Sequence, residues 1–243
     1  MKLEGRAALV TGAGKRVGRA LALALARRGM SVGIHYNRSR EEAEDLARGL
    51  TASYGVKSAA LKAELGDPKA CKRLVAEAAR ALGRLDALVN SASIYEHTPF
   101  SGTTLDDWDR HLDVNLRAPF LLSQAAAPHL KKRGGAIVNI ADWAGLRPYA
   151  GYIPYCVSKA GLLCLTTALA KQLAPEIRVN AVLPGPVLLP EGDSKARAEA
   201  VRRATLLQKL GEPEDVVKAV LYLLDSDFVT GAQITVDGGR LIA

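Results

Sequence analysis

Tyr155 and Lys159 stand four residues apart in a run with helical character, and Asp142 stands thirteen residues before the tyrosine. Residues at i and i+4 share one helix face, with Cβ atoms about 5–6 Å apart. A free phenol has a pKa of about 10 and exchanges protons sluggishly at neutral pH. A neighbouring ammonium favours the phenolate, so the pair reads as a tyrosine prepared to give or take a proton near pH 7. Lowering its pKa by about three units requires roughly 4 kcal/mol of differential interaction, of which one lysine supplies part. The same spacing also occurs on any amphipathic helix with a half-buried tyrosine and a surface lysine. The elements that hold the trio decide between the two.

Those elements alternate. Strands are expected at Ala7–Thr11, Ser31–Tyr36, Val56–Ala63, Leu85–Ser91, Ala136–Ala141, Ile177–Leu183 and Gln233–Val236. Helices are expected at Val17–Arg28, Glu41–Ser53, Lys69–Leu82, from about Leu105 to Lys132, through Tyr155 to about Leu173, and near Glu214–Leu224. Short unbroken apolar strands alternating with helices imply a parallel sheet covered on both faces. No linker divides residues 1–243, so one domain is expected. The exception to the alternation is 184–207, which opens Pro184-Gly185-Pro186 and continues Glu191-Gly192-Asp193-Ser194. A loose segment after a strand's carboxyl end is where such sheets place ligand-covering loops. It reads as a substrate lid or as an ordinary surface loop.

The first strand runs into Thr11-Gly12-Ala13-Gly14-Lys15-Arg16-Val17-Gly18. Small residues between a strand and a helix let the backbone approach a pyrophosphate at the helix N-terminus. The third glycine falls one residue later than in the usual G-x-G-x-x-G spacing. The second strand ends His35-Tyr36-Asn37-Arg38-Ser39, without the acidic residue that normally binds a ribose 2′-hydroxyl. Lys15, Arg16, Arg38 and Ser39 instead suit a 2′-phosphate, so NADP(H) is the expected cofactor. Lys15, Arg38 and Arg40 also read as ordinary solvated charges.

Composition narrows the class. The 243 residues are 49% hydrophobic and 24% charged, as in ordinary globular proteins. No apolar run looks long enough to cross a membrane, and the chain enters its first strand too soon for a signal peptide. Cys71, Cys156 and Cys164 lack paired spacing and read as reduced cytosolic thiols, which predicts a cytoplasmic location. The four histidines have no ligand spacing, so no metal is expected. The formal charge of +8 is dispersed, without basic and aromatic clusters. That argues against nucleic acid and for solubility or attraction of a small polyanion.

Taken together, Thr11-Gly12…Gly18, Asn90-Ser91-Ala92-Ser93, Val114-Asn115, Tyr155…Lys159 and Pro184-Gly185 resemble the short-chain dehydrogenase/reductase family, in its order and across nearly the whole chain. The resemblance implies a single Rossmann-type domain with a seven-stranded parallel sheet, usually assembled as a homotetramer. It implies that Tyr155 is the acid–base, and that Lys159 lowers its pKa and holds the nicotinamide ribose. Asn115 would support a water relay, and Asn90 and Ala92 would line the cofactor groove with Ser93, Pro184, Gly185 and Val187.

Two departures matter more than the matches. Most members of the family carry serine where this chain has Asp142, and glycine where it has Arg16. With His35-Tyr36-Asn37-Arg38-Ser39, these resemble the pteridine reductases, which implies substrate contacts from Arg16, Ser93, Tyr95, Asp142 and Tyr155, with Tyr95 stacking on a pterin. Chemistry favours the same subgroup. A serine hydroxyl donates to a carbonyl as negative charge develops. An ionised carboxylate cannot donate and repels a forming alkoxide, but it suits a heterocycle with N–H donors. Asp142 also reads as a plain cap at a strand end. The leading expectation is an NADPH-dependent reductase of pteridines or dihydrofolate-like substrates. The alternatives are a 3-oxoacyl carrier-protein reductase, or another carbonyl reductase of the family, and a non-catalytic NADP(H)-sensing protein.

Overall fold

A computed structural model describes every residue except Pro190, Glu191 and Asp193. In chain order the elements begin β1 (Ala7–Val10), α1 (Arg16–Arg27), β2 (Ser31–Tyr36), α2 (Arg40–Tyr54), β3 (Ser58–Lys62), α3 (Pro68–Leu82) and β4 (Ala87–Asn90). They continue α4 (Leu105–Leu112), α5 (Ala118–Lys131), β5 (Ala136–Ile140), α6 (Ile153–Leu173), β6 (Arg178–Pro184), α7 (Lys195–Arg203), α8 (Pro213–Asp225) and β7 (Gln233–Val236). The strands form one parallel seven-stranded sheet in the order β3-β2-β1-β4-β5-β6-β7. This is the covered parallel sheet that the alternation of elements implied, in the single seven-stranded Rossmann-type domain that the family resemblance implied.

The strands are apolar on both faces because both faces are covered. Ala8, Val10, Val89 and Val138 pack in one layer with Leu25 of α1, Leu50 of α2 and Leu223 of α8. Their neighbours Leu9, Leu88 and Ile137 pack in the other with Leu74 of α3 and Leu122 of α5. Strand order reverses between β1 and β4, and the crevice outside their carboxyl ends is where such sheets bind ligands.

The opposite end of that junction is pinned by a fully buried carboxylate. Asp86 accepts from Ala7 N–H at 2.9 Å, from Arg6 at 2.9 Å and from Arg84 at 2.6 Å, joining the starts of β1 and β4. Burial alone would raise its pKa, but the Arg84 and Arg6 guanidiniums and the Ala7 N–H outweigh burial and hold it below the usual value.

Three expectations are corrected. The helix expected from Leu105 to Lys132 is broken by a π-helical turn at Asp113–Arg117. The loose segment 184–207 contains a further helix, α7, whose N-cap Ser194 accepts from Arg197 N–H at 3.1 Å. Of its Glu191–Ser194 quartet, Glu191 and Asp193 lie outside the described residues. Finally, α6 does reach membrane-spanning length and apolarity, with 21 residues and a mean hydropathy of 1.4. It packs on the sheet with Leu162, Leu163 and Ala170 buried, and carries Tyr155 and Lys159.

Asp86 has the depressed pKa of a carboxylate stabilised in the folded state. Its contribution is therefore complete above its unfolded pKa of about 3.9 and is lost as pH falls further. Asp86→Ala should lower the free energy of unfolding in urea at pH 7 by about 3 kcal/mol, as for a broken buried ion pair. The deficit should shrink below about pH 4. An equal deficit at pH 7 and pH 2.5 would contradict this role.

Candidate active site

Asp142, Tyr155 and Lys159 are brought together by β5, the turn after it and the first turns of α6. Pro154 opens α6 with a fixed φ and no N–H to satisfy, which places Tyr155 in the first turn. Its phenol donates to Asp142 Oδ2 at 2.8 Å. Asp142 Oδ1 accepts from Ala144 N–H at 2.7 Å. Both readings of Asp142 therefore hold at once, because one carboxylate oxygen caps the Trp143–Gly145 turn and the other faces the phenol. Lys159 donates to the Ile140 carbonyl at 2.9 Å, and its Nζ lies 5.6 Å from the centre of the Tyr155 ring.

The electrostatics correct the expected tuning. Tyr155 lies well above the ordinary phenol value, first because it is buried and then because the Asp142 carboxylate faces it. Burial also raises Asp142, against the pull of Ala144 N–H, the Tyr155 hydroxyl and Lys159. Burial lowers Lys159 to about 8, with Asp142 opposing. Tyr155 is thus a phenol that holds its proton, and the ammonium does not bring it down to neutrality.

Asn115 sits in the π-helical turn between α4 and α5, an irregularity common at functional sites. It braces the loop after β4, accepting from Ile94 N–H at 2.9 Å and Ser93 Oγ at 3.1 Å, and donating to the Ile94 carbonyl at 3.0 Å. It also donates to Ser158 Oγ on α6 at 3.1 Å. Asn90, expected to line the groove, does not. It is buried beneath the site and donates to Asn139 Oδ1 at 2.8 Å, which in turn donates to Thr166 Oγ1 at 2.9 Å.

A cleft of about 1210 Å³ runs across the carboxyl ends of the strands. Gly12, Lys15, Arg16, Val17, Gly18, His35, Asn37, Arg38, Ser39, Ala92, Ser93, Tyr95, Asp142, Tyr155, Lys159, Pro184, Gly185 and Val187 all line it. Gly14 and Asn115, like Asn90, do not. At one end Gly12 has φ +64°, and a Cβ there would lie 2.9 Å from the Ala92 Cα. A Cβ on Gly18 would meet the Gly12 carbonyl at 2.2 Å, and one on Gly14 would strike Ser39 Oγ at 2.5 Å. Only glycine lets the turn close this tightly. Lys15, at the N-cap of α1, makes no side-chain cap, so the first N–H groups of the helix remain available to an anion.

His35 holds this turn from beneath. Its Nδ1 accepts from Gly12 N–H at 3.0 Å and its Nε2 donates to the Ala63 carbonyl at 3.1 Å, an arrangement that needs the neutral ring. Burial pushes its pKa down to about 4. Of the residues expected at a 2′-phosphate, Lys15 pairs with Glu42 at 2.7 Å and Asn37 donates to Glu64 at 2.6 Å. Arg38 is exposed at the cleft rim, without a hydrogen bond or ion pair among the described residues.

Arg16 is placed differently from expectation. Its backbone is left-handed, with φ +53°. Its guanidinium donates to the Leu188 carbonyl at 2.8 Å and the Leu189 carbonyl at 3.4 Å, clasping the segment after β6 across the cleft.

The wall opposite the Gly-rich turn is aromatic. Tyr95 stacks on Tyr152 at 4.5 Å and 8°, and meets Tyr155 edge-on at 4.8 Å. Trp143 and Tyr149 extend the wall, and the Arg240 guanidinium lies 5.5 Å from the Trp143 ring centre. Trp143, Tyr149 and Arg240 were missed. The three-residue spacing of Tyr149, Tyr152 and Tyr155 was the available signal for the first part of the wall, whereas nothing local marks Arg240.

A Rossmann-type sheet with a tyrosine–lysine pair in the cleft at its strand ends suits an oxidoreductase. A family model described as enoyl-(acyl carrier protein) reductase matches residues 12–240. The 3-oxoacyl-(acyl-carrier-protein) reductase FabG of Thermotoga maritima is 35% identical over 249 residues, covering 100% of both chains. Among solved structures, FolM alternative dihydrofolate reductase 1 from Brucella canis, complexed with NADP, is 32% identical. It superposes with a TM-score of 0.94, covering 100% of this chain and 96% of that one. A short-chain dehydrogenase from Burkholderia cenocepacia in complex with NADP is 38% identical with a TM-score of 0.92, covering 99% of each chain. The chain belongs to the short-chain dehydrogenase/reductase family.

Arg16 combines a strained backbone with a two-carbonyl clasp. A left-handed φ costs a non-glycine residue about 1–2 kcal/mol. Arg16→Gly should therefore not lower, and should slightly raise, the midpoint of thermal unfolding. Hydrogen exchange at the Leu188 and Leu189 amides should nevertheless accelerate severalfold. Unchanged exchange there would show that the clasp does not hold the segment.

Proposed function

We propose that the chain is an NADPH-dependent reductase of pteridines or dihydrofolate-like substrates. The observation that carries this reading is the hydrogen bond from Tyr155 to the Asp142 carboxylate at 2.8 Å. The position that would offer a hydroxyl to a ketone offers an acceptor instead.

The cofactor fits the residues present. The open helix N-terminus and the glycine cradle suit its pyrophosphate, and Arg38 and Ser39 suit its 2′-phosphate. Lys159 would hold the nicotinamide ribose. Two of the solved relatives are complexes with NADP, which supports the same choice. When bound, NADPH supplies a hydride to the carbon of a ring C=N bond.

The chain's residues then handle the proton. The ring nitrogen gains the electron pair of the C=N bond and becomes strongly basic. Tyr155 donates to it, so that a C–H and an N–H replace the double bond. The raised pKa of Tyr155 keeps the proton in place until that basicity develops. Lys159, with its ammonium near the ring, stabilises the phenolate left behind. Asp142 accepts from the N–H donors of the heterocycle and favours positive charge on it. Asn115 positions Ser93 and Ile94 against the substrate side; its two acceptor and two donor positions are all taken by that loop and Ser158, so the amide acts as a brace and not as a member of the expected water relay. Tyr95 supplies a flat ring at the pocket wall. Residues 184–189 and, on α7, Arg197 and Val201 line the pocket's outer side, as a substrate lid would. Phe120 on α5 and Val157 on α6 are exposed apolar side chains of the kind a homotetramer would cover.

The second reading is 3-oxoacyl carrier-protein reduction, favoured by the name of the Thermotoga relative. The two readings differ in substrate and in the use of Asp142.

NADPH oxidation should be measured with dihydrobiopterin, dihydromonapterin, dihydrofolate and an acetoacetyl thioester. Turnover of at least one pterin is expected, with Tyr155→Phe lowering kcat by about 10²–10⁴. Turnover of the thioester alone would overturn the pteridine reading. The pH profile should fall above about 8, where Lys159 loses its proton. A kcat independent of pH from 7 to 10 would remove Lys159 from the mechanism.

A further inference from the structure

Arg240 follows β7, in a segment far in sequence from the trio. It nonetheless lines the catalytic cleft beside Trp143, the residue immediately after Asp142. Its guanidinium is fixed rather than free. It lies 5.5 Å from the centre of the Trp143 ring, and Nη1 donates to the Ala204 carbonyl at 3.1 Å. The backbone around it is tied down by Asp237, whose carboxylate accepts from Gly239 N–H at 2.9 Å and Leu241 N–H at 2.7 Å. Arg147 donates to the Arg240 carbonyl at 3.2 Å and to the Leu241 carbonyl at 3.3 Å.

The guanidinium nevertheless has no carboxylate partner among the described residues. Arg110, which also lines the cleft, is paired with Glu96, Asp106 and Asp107. Asp237 is occupied by backbone N–H groups. A half-buried arginine with one neutral acceptor keeps most of its five donors and its full charge for a ligand. Its planar fork matches carboxylate and phosphate geometry.

We infer that Arg240 recognises an anionic group on the substrate's side chain. The inference rests on the pteridine reading and deepens it. The substrate is a pterin whose tail ends in a carboxylate or a phosphate, not one with a neutral polyol tail. The ring occupies the Tyr155–Asp142 end of the wall, and the tail runs past Trp143 to the guanidinium. Arg240 is a specificity-determining residue that takes no part in proton transfer.

The test compares kcat/KM for dihydrofolate, with its carboxylate tail, for a phosphorylated dihydropterin and for dihydrobiopterin, with its neutral tail. Wild-type protein, Arg240→Gln and Arg240→Lys are each measured with all three. In the wild type an anionic-tail substrate should exceed dihydrobiopterin by about tenfold or more. Arg240→Gln should collapse that ratio about tenfold, through KM rather than kcat, and Arg240→Lys should restore part of it. Whichever anionic substrate shows the larger collapse identifies carboxylate or phosphate as the recognised group. An unchanged ratio, with all three substrates weakened in parallel or none affected, would overturn the assignment of Arg240 while leaving the pteridine reading in place. Absence of turnover with every pterin would overturn that reading, and this inference with it.

Discussion

The site depends on one constraint, the burial of a cation and an acid side by side at the carboxyl end of β5. Lys159 is only 2% exposed, and among the described residues its ammonium has one hydrogen-bond partner, the Ile140 carbonyl. A buried ammonium is tolerated when an opposite charge lies near. Asp142 supplies that charge and is itself pushed up by burial. Tyr155 lies between them in effect, giving its hydrogen to the carboxylate and its ring to the ammonium. Asp142 is the member that acts on both of the others, raising the pKa of Tyr155 and opposing the fall in that of Lys159.

The rest of the fold keeps that unit in place. Asp86 pins β1 to β4 at the far end of the sheet, and Asn115 locks the loop after β4 to α6. His35 holds the phosphate-side turn from below, in a form that requires it to stay neutral. The strained backbone of Arg16 aims its guanidinium at the segment beyond β6, so a left-handed residue joins the two sides of the cleft. These ties leave the aromatic wall and Arg240 to decide what binds.

Much of this was legible in the sequence, for physical reasons. Strands buried on both faces must be apolar runs, and glycines at 12 and 18 mark a close backbone approach that any Cβ would block. Asp142, Tyr155 and Lys159 carry types and spacings with little other use together. The misreadings have causes as definite. A π-helical turn keeps helical composition, so Asp113–Arg117 read as part of one long helix. The helix α7 carries five charged residues among its nine and buries none of them, so no core-facing stripe gives it a period. Asn90 was read as facing the groove, whereas the parallel register with Asn139 draws it inward. The pKa of Tyr155 depends on how deeply it is buried, which spacing does not reveal. Arg240 reaches the cleft only through the long-range pairing of β7 with β6.

On the proposed reading, the carboxylate at position 142 selects a ring C=N over a ketone. The most direct test is the ratio of kcat/KM for a dihydropterin to that for an acetoacetyl thioester, in the wild type and in Asp142→Ser. The wild type should favour the pterin. The serine, by restoring a hydroxyl donor to a developing oxyanion, should shift the ratio toward the thioester by about 10² or more. A wild type that favours the thioester, with a serine variant that reduces it no better, would rule out substrate selection by Asp142.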